Sequence, residues 1–483
     1  MNSLFFFFLL LLLFSLAGAG AGADGGDRAA LLGVRAEVVD PRGALSSFAS
    51  FHGDVPAALF ALPALRRLDL SHNRALAGAL ADVAAPLELL SLAANRISGT
   101  LPCFAAASRS LAALDLSANA VAGGVPACLA DLRALRSLNL SGNRLSYRLS
   151  PRLAFSGRLL ALDLSSNRLS GPVPRRIVDD PDRSALILLD LSRNRFSGAI
   201  PEEITELRSL QGLFLSRNQL SGEIPAGIGN LTYLQALDLS RNRLSGAIPV
   251  SLAGCFQLTL LDLGRNQLSG ALHPELDALD SLRILDLSGN RISGEIPSRS
   301  PAASPSRSST SAATSSPASS AAPCSSGRAS APSPSPPTAS PGPSRLDLLV
   351  PSLRWLDLSD NRLAGFIPDG NFNVSAEFND NRCRDTASPL AGFAAWSSVD
   401  LDAGTRQLDL EYSIVSAVGI DLSRNAIRGN IPEGLFGMTG LEYLNLSYNN
   451  LDGRVPAEMA GLERLKWLDL AHNALSGRCR AAG

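Results

Sequence analysis

The stretch "LQALDLSRNRLSGAIPVSLAGCFQ", residues 234–257, holds the pattern that decides the fold. Written as L-x-x-L-x-L-x-x-N-x-L-x-G-x-I-P, the pattern returns along the chain, and most consecutive copies of its asparagine are separated by one constant interval. The asparagine occurs fourteen times, at Asn73, Asn95, Asn119, Asn143, Asn167, Asn194, Asn218, Asn242, Asn266, Asn290, Asn361, Asn425, Asn449 and Asn473. A repeat of this length predicts units that stack into one elongated array.

The chemistry of each position explains the unit. Leu237 and Leu239 alternate with Asp238 and Ser240, which predicts a short strand that turns its leucines inward. Strands of neighbouring units then pair about 4.8 Å apart in a parallel sheet. The turn after each strand would leave backbone groups unpaired at a cost of about 1–3 kcal/mol each. An asparagine amide both donates and accepts, so we expect Asn242 and its equivalents to satisfy that turn.

The unit resembles the leucine-rich repeat, and its "LSGAIP" ending is similar to the plant extracellular class. The resemblance implies a solenoid, a curved right-handed superhelix with a parallel β-sheet on its concave face. The fourth unit departs from the pattern, because Tyr147 and Ser150 replace its glycine and proline. His273 replaces the proline of the ninth unit and is interpreted as a turn residue.

The chain begins with features of export. An apolar stretch from Leu4 to Leu16 is followed by small residues, which predicts a signal peptide over residues 1–23. Residues 24–60 are similar to part of a helical N-terminal cap, and residues 61–297 hold the first run of repeats. The mature chain is therefore expected in the secretory pathway.

Two segments interrupt the array. Residues 298–345 contain 18 Ser and 10 Pro, more than half of the segment, and are predicted to be disordered. Three regular intervals beyond Asn290 would place the next asparagine at position 362, directly after Asn361, so the tract is interpreted as filling the space of two units. An artefact of the gene model or a frameshift explains that length, and a natural linker is the alternative.

Repeats resume beyond the tract. A repeat is predicted over residues 346–370, an island insert over 371–410, and repeats again over 411–483, where the array ends as if truncated.

Catalysis and cofactors find no support in the sequence. The net charge of −1 gives no reason to expect nucleic acid. Four scattered histidines suggest neither a metal site nor a nucleophile with its base. The aspartate that recurs near the end of each strand, as at Asp238, is part of the repeat consensus. The chain is therefore predicted to be a binding protein without a metal or cofactor.

Cysteines and glycosylation sequons fit an exported chain. Cys103 and Cys128 follow the prolines of adjacent units, so stacking could bring them within bridging distance. Cys255 is interpreted as a small buried residue. Sequons of the form N-x-Ser/Thr begin at Asn139, Asn230, Asn373 and Asn445.

The candidate ligand-binding residues lie on the concave side. Four consecutive units place an arginine directly before the ladder asparagine, at Arg193, Arg217, Arg241 and Arg265. This stripe, about 14 Å long at the spacing of strands, could hold a carboxylate or an extended acidic segment. Concave aromatic residues that could anchor side chains follow at Trp355, Tyr443 and Trp467. Ordinary solvent-exposed surface is the alternative interpretation of the stripe.

Longer segments are more specific than the repeat. "PELDALDSL" at 274–282, "FIPDGNFN" at 366–373 and "YSIVSAVGIDLS" at 412–423 resemble the kinase-less CLAVATA receptor-like proteins, called fasciated ear in grasses. The resemblance implies plasma-membrane anchoring with extracellular repeats. It also implies a co-receptor role with a membrane pseudokinase or receptor kinase in perceiving secreted CLE-type peptides, which restricts stem-cell proliferation in meristems. The chain as printed lacks the family's membrane anchor, so a secreted, apoplastic form is expected from it.

Two other functions remain open. A soluble inhibitor of polygalacturonases would also be exported without an anchor, although it should carry cysteine-rich caps at both ends and no island. A non-functional product of a truncated gene would show the irregular ends and the Ser/Pro tract.

Overall fold

A computed structural model of the chain describes residues 52–175 (except 56, 74, 81 and 84), 185–297, 353–368, 395–398, 409–412 and 418–477 (except 439). The predicted signal peptide, the Ser/Pro tract and most of the island lie outside the described residues. Within those residues, no helix has the length and apolar character needed to cross a bilayer.

One parallel sheet runs the length of the array and forms its concave face. Its fourteen strands are Arg67–Asp69, Leu89–Ser91, Ala113–Asp115, Ser137–Asn139, Ala161–Asp163, Leu188–Asp190, Gly212–Phe214, Ala236–Asp238, Leu260–Asp262, Ile284–Asp286, Trp355–Asp357, Val418–Asp421, Leu441–Asn445 and Trp467–Asp469. Each strand pairs with the corresponding strand of the next unit, so equivalent residues form columns across the sheet.

A second parallel sheet, which we call the lateral sheet, follows the asparagines. Its nine strands are Ala122–Gly123, Arg144–Tyr147, Arg168–Gly171, Arg195–Gly198, Gln219–Gly222, Arg243–Gly246, Gln267–Gly270, Arg291–Glu295 and Arg362–Ala364. Two-stranded parallel pairs extend this side at the ends, His52–Asp54 with Ala75–Ala77 and Arg428–Gly429 with Asn450–Leu451. Strand pairing of the repeat array therefore extends back to His52, which lies within the cap predicted over residues 24–60.

Short turns on the convex side return the chain to the next strand. They are the 3-10 helices Ala57–Ala61, Ala105–Ala107, Ala127–Asp131, Glu202–Glu206, Ala226–Asn230, Val250–Gly254, Pro274–Ala278, Glu433–Gly437 and Ala457–Gly461, and the α-helix Pro151–Ala154. Proline directly precedes most of these helices with extended backbone, as at Pro249, which suits a residue without an amide hydrogen.

The core is a continuous column of leucines between the two sheets and the convex turns. Leu237, Leu239 and Leu244 of the central unit are fully buried, and their equivalents are buried in most units. Because each unit is too thin to cover its own apolar side, this burial comes from the neighbours on either side.

The asparagines form the predicted ladder. The Asn242 amide donates to the carbonyls of Leu215 and Leu239, both at 3.0 Å, and its oxygen accepts from the Leu220 amide, also at 3.0 Å. Each asparagine therefore joins its own turn to the preceding unit, and the spacing of units is fixed by hydrogen bonds as well as by leucine packing.

The sheet is continuous across the Ser/Pro tract. Strand Ile284–Asp286 pairs directly with Trp355–Asp357, and the Asn361 amide donates to the Leu287 carbonyl at 2.9 Å. The directly paired strands leave no gap in the sheet at the tract. The interpretation that the tract takes the place of two units stays a prediction, because a chain that has lost two units would pair the same strands. In the chain as it stands, the interval from Asn290 to Asn361 equals one regular unit plus residues 298–344.

Strand Ala395–Ser398 lies in the segment predicted as the island, and its antiparallel partner Asp409–Tyr412 crosses the predicted end of the island at residue 410. The chain then rejoins the concave sheet at Val418–Asp421, which pairs with Trp355–Asp357.

Candidate ligand-binding face

The arginine stripe of Arg193, Arg217, Arg241 and Arg265 stands at the turn between the two sheets. All four residues are exposed, with φ between 52° and 55°, the left-handed region. The same position is left-handed in every unit, because the chain must reverse there, and Gly142 and Gly289 occupy it elsewhere. Non-glycine residues adopt this conformation in twelve of the fourteen units, each at a backbone strain of about 1 kcal/mol or more. The four arginines are therefore distinguished by their charge and not by their backbone.

The stripe concentrates positive charge. The amide of Arg217 donates to the carbonyl of Ser240 at 2.9 Å and that of Arg193 to Ser216 at 2.8 Å, so the backbone fixes the spacing of the row. Burial, followed by repulsion from Arg241 and Arg193, lowers the pKa of Arg217 below its usual value. In the part of the chain that the structure describes, none of the four guanidinium groups forms an ion pair.

A row of carboxylates runs beside the stripe on the concave face. Its members share one column of the sheet and are Asp163, Asp190, Asp238, Asp262, Asp286, Asp357 and Asp421. Burial, together with Asp163, raises the pKa of Asp190 to about 8. Burial, together with Asp286, raises the pKa of Asp357 to about 7. Like charges in adjacent strands disfavour one another's ionisation, so the middle of the row carries less negative charge than its composition indicates.

Phe214 interrupts the carboxylate row and was not predicted from the sequence. It replaces the consensus aspartate between Asp190 and Asp238 and is 5% exposed. Its ring lies over Gly212, where an added Cβ would stand 2.9 Å from a ring carbon. The signal was present as glycine followed two residues later by phenylalanine, "GLF", in place of the usual "ALD".

The structure brings the three predicted aromatic residues together. Trp355 and Tyr443 have ring centroids 5.5 Å apart, and Tyr443 stacks on Trp467 with centroids 6.3 Å apart. Trp467 is 57% exposed, whereas Trp355 and Tyr443 are half-buried. We call these three residues the aromatic cluster; it offers an apolar surface on the concave side.

Gly419 allows the aromatic cluster to form and was also missed. It separates Trp355 from Tyr443 in the sheet, and an added Cβ would lie 2.4 Å from a Trp355 ring carbon. Below the rings, the Tyr443 hydroxyl donates to Asp421 Oδ2 at 3.0 Å, and Asn445 donates to the same oxygen at 3.0 Å. Burial and Asp421 raise the pKa of Tyr443 to about 12, so its hydroxyl remains a donor.

A second aromatic stack occupies the left-handed position of the last units. Tyr448 stacks on His472 with ring centroids 4.0 Å apart, and the Arg424 guanidinium lies 5.0 Å from the Tyr448 ring centre. The C-terminal part of the concave face is thus bordered by rings on two sides, whereas the middle is bordered by arginines.

The sequons differ in their surroundings. Asn230 is exposed at the end of a convex turn. Asn139 and Asn445 are half-buried in concave strands, where each side-chain oxygen accepts from a serine two residues on. Asn373 lies outside the described residues. Glycosylation of all four remains a prediction.

The two cysteines of adjacent convex turns are joined. Cys103 and Cys128 form a disulfide with their Cα atoms 5.6 Å apart. Cys255 is buried with its thiol directed at the Ile228 carbonyl, and burial raises the pKa of Cys255 to about 12. Within the described residues, no group of three or more His, Cys, Asp or Glu residues is arranged to hold a metal ion.

Comparison with protein families agrees with this architecture. The description "Leucine rich repeat" matches residues 85–145, 232–292 and 419–475, and a second description of the same repeat matches 185–207, 209–231 and 352–373. These matches together cover just over half of the chain. The chain therefore belongs to the leucine-rich-repeat proteins, and the predicted fold class is confirmed.

Curated relatives are receptor-like proteins of plants. The chain is 50% identical over 80 residues to the leucine-rich repeat receptor-like protein FASCIATED EAR2 of Zea mays, covering 16% of this chain and 13% of that protein. It is 46% identical over 82 residues to the receptor-like protein CLAVATA2 of Arabidopsis thaliana, covering 17% and 11%. The resemblance predicted from the sequence is confirmed, although the matched segments span only a small part of either relative.

Solved structures share the fold. The ectodomain of the plant membrane receptor kinase GASSHO1/SCHENGEN3 from Arabidopsis thaliana, in complex with CASPARIAN STRIP INTEGRITY FACTOR 2, superposes with a TM-score of 0.57 at 28% identity. That match covers 89% of this chain and 47% of the other. A TDR receptor gives the same TM-score at 22% identity, covering 88% and 63%. This chain is thus similar in fold to receptor chains that are longer than itself.

Proposed function

We propose that the chain is the extracellular repeat domain of a kinase-less receptor-like protein that acts as a co-receptor for secreted CLE-type peptides. In this role it works with a membrane pseudokinase or receptor kinase and restricts stem-cell proliferation in meristems. The relatives FASCIATED EAR2 and CLAVATA2, both receptor-like proteins, support this assignment.

The observation that carries the proposal is the aromatic cluster on a concave face of suitable length. Nine strands run from the level of Arg193 to that of Trp467, which is about 38 Å at the spacing of parallel strands. An extended peptide of about 12 residues spans about 40–43 Å. Such a peptide could therefore contact both the exposed ring of Trp467 and the arginine stripe.

The aromatic cluster is the expected affinity determinant. Large rings that lose water on binding commonly dominate interface energies. Asp421 and Asn445, which orient Tyr443, add polar groups beside the rings. The stripe could contribute a carboxylate contact at the other end of the peptide.

The test is titration calorimetry of the purified chain with synthetic CLE-type peptides, alone and with the ectodomain of a candidate receptor-kinase partner. We expect the paired substitution Tyr443→Ala and Trp467→Ala to weaken peptide binding about tenfold or more. The matched control pair is Tyr233→Ala and Phe256→Ala, which removes rings that are 56% and 54% exposed outside the concave strands. This pair should leave affinity within about twofold of the original.

The proposal would be contradicted if no peptide binds, either alone or with the partner ectodomain present. It would also be contradicted if the aromatic pair and the control pair of substitutions weaken binding equally. Expression of the chain in a plant that lacks its own receptor-like protein of this type then tests the meristem role, with meristem width as the measurement.

A further inference from the structure

The lateral sheet presents a regular polar surface outside the concave face. Eight consecutive strands begin with an exposed arginine or glutamine, namely Arg144, Arg168, Arg195, Gln219, Arg243, Gln267, Arg291 and Arg362. The next residue in each strand is buried and apolar, and the third, a serine in all but the last, returns to the surface. We call this row of arginines, glutamines and serines the lateral face.

The arginine stripe borders the lateral face along its middle. Both rows flank the same asparagines, as in Arg193-Asn194-Arg195 and Arg241-Asn242-Arg243. From Gly142 to Arg291 no acidic residue stands in either row. The acidic residues closest in sequence are Asp190, Asp238 and Asp262, each three residues before an arginine of the stripe, and Asp360, two residues before Arg362. The first three belong to the carboxylate row of the concave sheet. The result is two parallel rows of positive charge on a chain whose net charge is −1.

The arginines of the two rows form no direct ion pairs among the described residues. The strand aspartates act on the stripe only at longer range. Unpaired guanidinium groups at fixed spacing favour an anionic ligand that can pair with several of them at once.

The polar, fully paired surface of the lateral face argues against a protein or peptide as its ligand. Between Tyr147 and Phe366, which bound it at the two ends, the described lateral strands expose no large apolar side chain, whereas protein interfaces have an apolar or aromatic core. Each interior strand is hydrogen-bonded on both sides, so an added peptide strand finds no free edge. In an extended peptide, side chains on the same side recur every second residue, about 6.6–7.2 Å apart. This interval does not match the spacing of about 4.8 Å between strands of the lateral sheet.

We propose that the lateral face binds a linear acidic polysaccharide of the polyuronate class. Each sugar of such a polymer carries one carboxylate for the arginines, and its hydroxyl groups can exchange hydrogen bonds with the glutamines and serines. Eight strands give a footprint about 34 Å long. This site does not depend on peptide perception, because it leaves the aromatic cluster free.

The test is binding of the full chain to purified galacturonate oligomers of about twelve sugars at several salt concentrations. We expect binding that weakens steeply with salt, as for other polyanions. The substitutions Arg168→Gln, Arg195→Gln, Arg243→Gln and Arg291→Gln together should weaken it on the order of tenfold or more. The matched control removes four exposed arginines from the turns that enter the concave strands, through Arg109→Gln, Arg133→Gln, Arg208→Gln and Arg464→Gln, and should change affinity less than about twofold.

Two further probes distinguish the class of ligand. Fully methyl-esterified galacturonate oligomers keep the sugars without the charge and should not bind. Polyglutamate of equal charge should bind more weakly than the uronate. Equal binding of polyglutamate, unchanged binding by the lateral variant, or no binding of galacturonate at low salt would each overturn the proposal.

Discussion

At the scale of single residues, the ladder asparagine contributes more than its size indicates. Asn242 joins three carbonyl groups and one amide across two units. We expect Asn242→Ala to lower the free energy of unfolding by about 2–5 kcal/mol, because the Leu220 amide and at least one carbonyl lose a buried partner. Urea denaturation measures the change, and hydrogen exchange at Leu220 shows whether it is local.

Gln219→Ala is the control for that substitution. Gln219 is exposed in the neighbouring lateral strand, so its removal should change stability by less than about 0.5 kcal/mol. A loss below about 1 kcal/mol for Asn242→Ala would mean that water or a neighbouring side chain replaces the amide.

The carboxylate row makes stability depend on pH. Burial, Asp238 and Asp286 raise the pKa of Asp262 well above its usual value, and burial with Asp163 raises that of Asp190 to about 8. Between about pH 4 and 8 the folded state therefore holds protons that the unfolded chain releases. Stability is then fully present at low pH in this window and falls as pH rises, by about 1.4 kcal/mol per pH unit for each such proton.

Denaturation at pH 5, 6.5 and 8 measures this dependence. Asp190→Asn keeps the side chain's shape and removes one titrating group, so we expect a shallower fall in stability toward pH 8. The neighbouring charged groups, Asp163, Asp238 and Arg193, are retained in the variant. A chain whose stability rises from pH 5 to 8 would contradict the expected sign.

At the scale of elements, strand Val418–Asp421 positions the aromatic cluster through the absence of one side chain. We expect Gly419→Ala to displace Trp355, because the new Cβ would stand 2.4 Å from its ring. The cost in stability should be about 1–3 kcal/mol, with a change in tryptophan fluorescence and loss of ligand affinity. Gly440→Ala is the matched control, since an added Cβ there meets nothing within 4 Å.

The same strand shows where sequence reasoning succeeds and where it stops. Leu237, Asn242 and their equivalents could be assigned from one repeat period, because each position has the same environment in every unit. Trp355, Tyr443 and Trp467 could be placed on the concave face for the same reason. Their mutual contact could not be predicted, because it depends on Gly419, and nothing in the "VGIDLS" strand indicates that this glycine lies against the Trp355 ring. Phe214 over Gly212 also depends on a glycine, although there the change from the usual "ALD" to "GLF" was visible in the sequence.

The protonation of the carboxylate row was also beyond the sequence. Each aspartate was visible as consensus, but the rise in its pKa comes first from burial in the stacked array and then from aspartates in neighbouring strands. Charge coupling of this kind is a property of the stacked sheet and not of any single unit.

At the scale of the whole molecule, the Ser/Pro tract shows what the repeat period leaves open. The interval from Asn290 to Asn361 nearly equals three units, yet the strands on either side pair directly. Period alone cannot distinguish two replaced units from one unit with a long insertion, because both preserve the register of the repeats that follow. The pairing of Ile284 with Trp355 is compatible with both, because a chain that has lost two units pairs the units that remain.

That pairing predicts the result of removing the Ser/Pro tract. Deleting residues 298–344 leaves only residues 345–352 between Pro297 and Leu353, a connection as long as residues 250–257 between Pro249 and Leu258 in a regular unit. We expect the shortened chain to fold with the same fourteen-stranded sheet. Closing a loop of residues 345–352 costs less conformational entropy than closing one of residues 298–352. The deletion should therefore stabilise the chain by about 1–2 kcal/mol.

Circular dichroism and thermal denaturation of both forms provide the measurement. A control chain in which residues 298–344 are replaced by a Gly/Ser linker of equal length should match the original in stability, since loop closure depends on length and flexibility. Aggregation or loss of β-structure in the shortened chain alone would mean that residues 298–344 make contacts the array needs. If the original, shortened and Gly/Ser-linked chains all fold, the two units that meet at this junction are sufficient to form it. The hydrogen bond from the Asn361 amide to the Leu287 carbonyl joins those units.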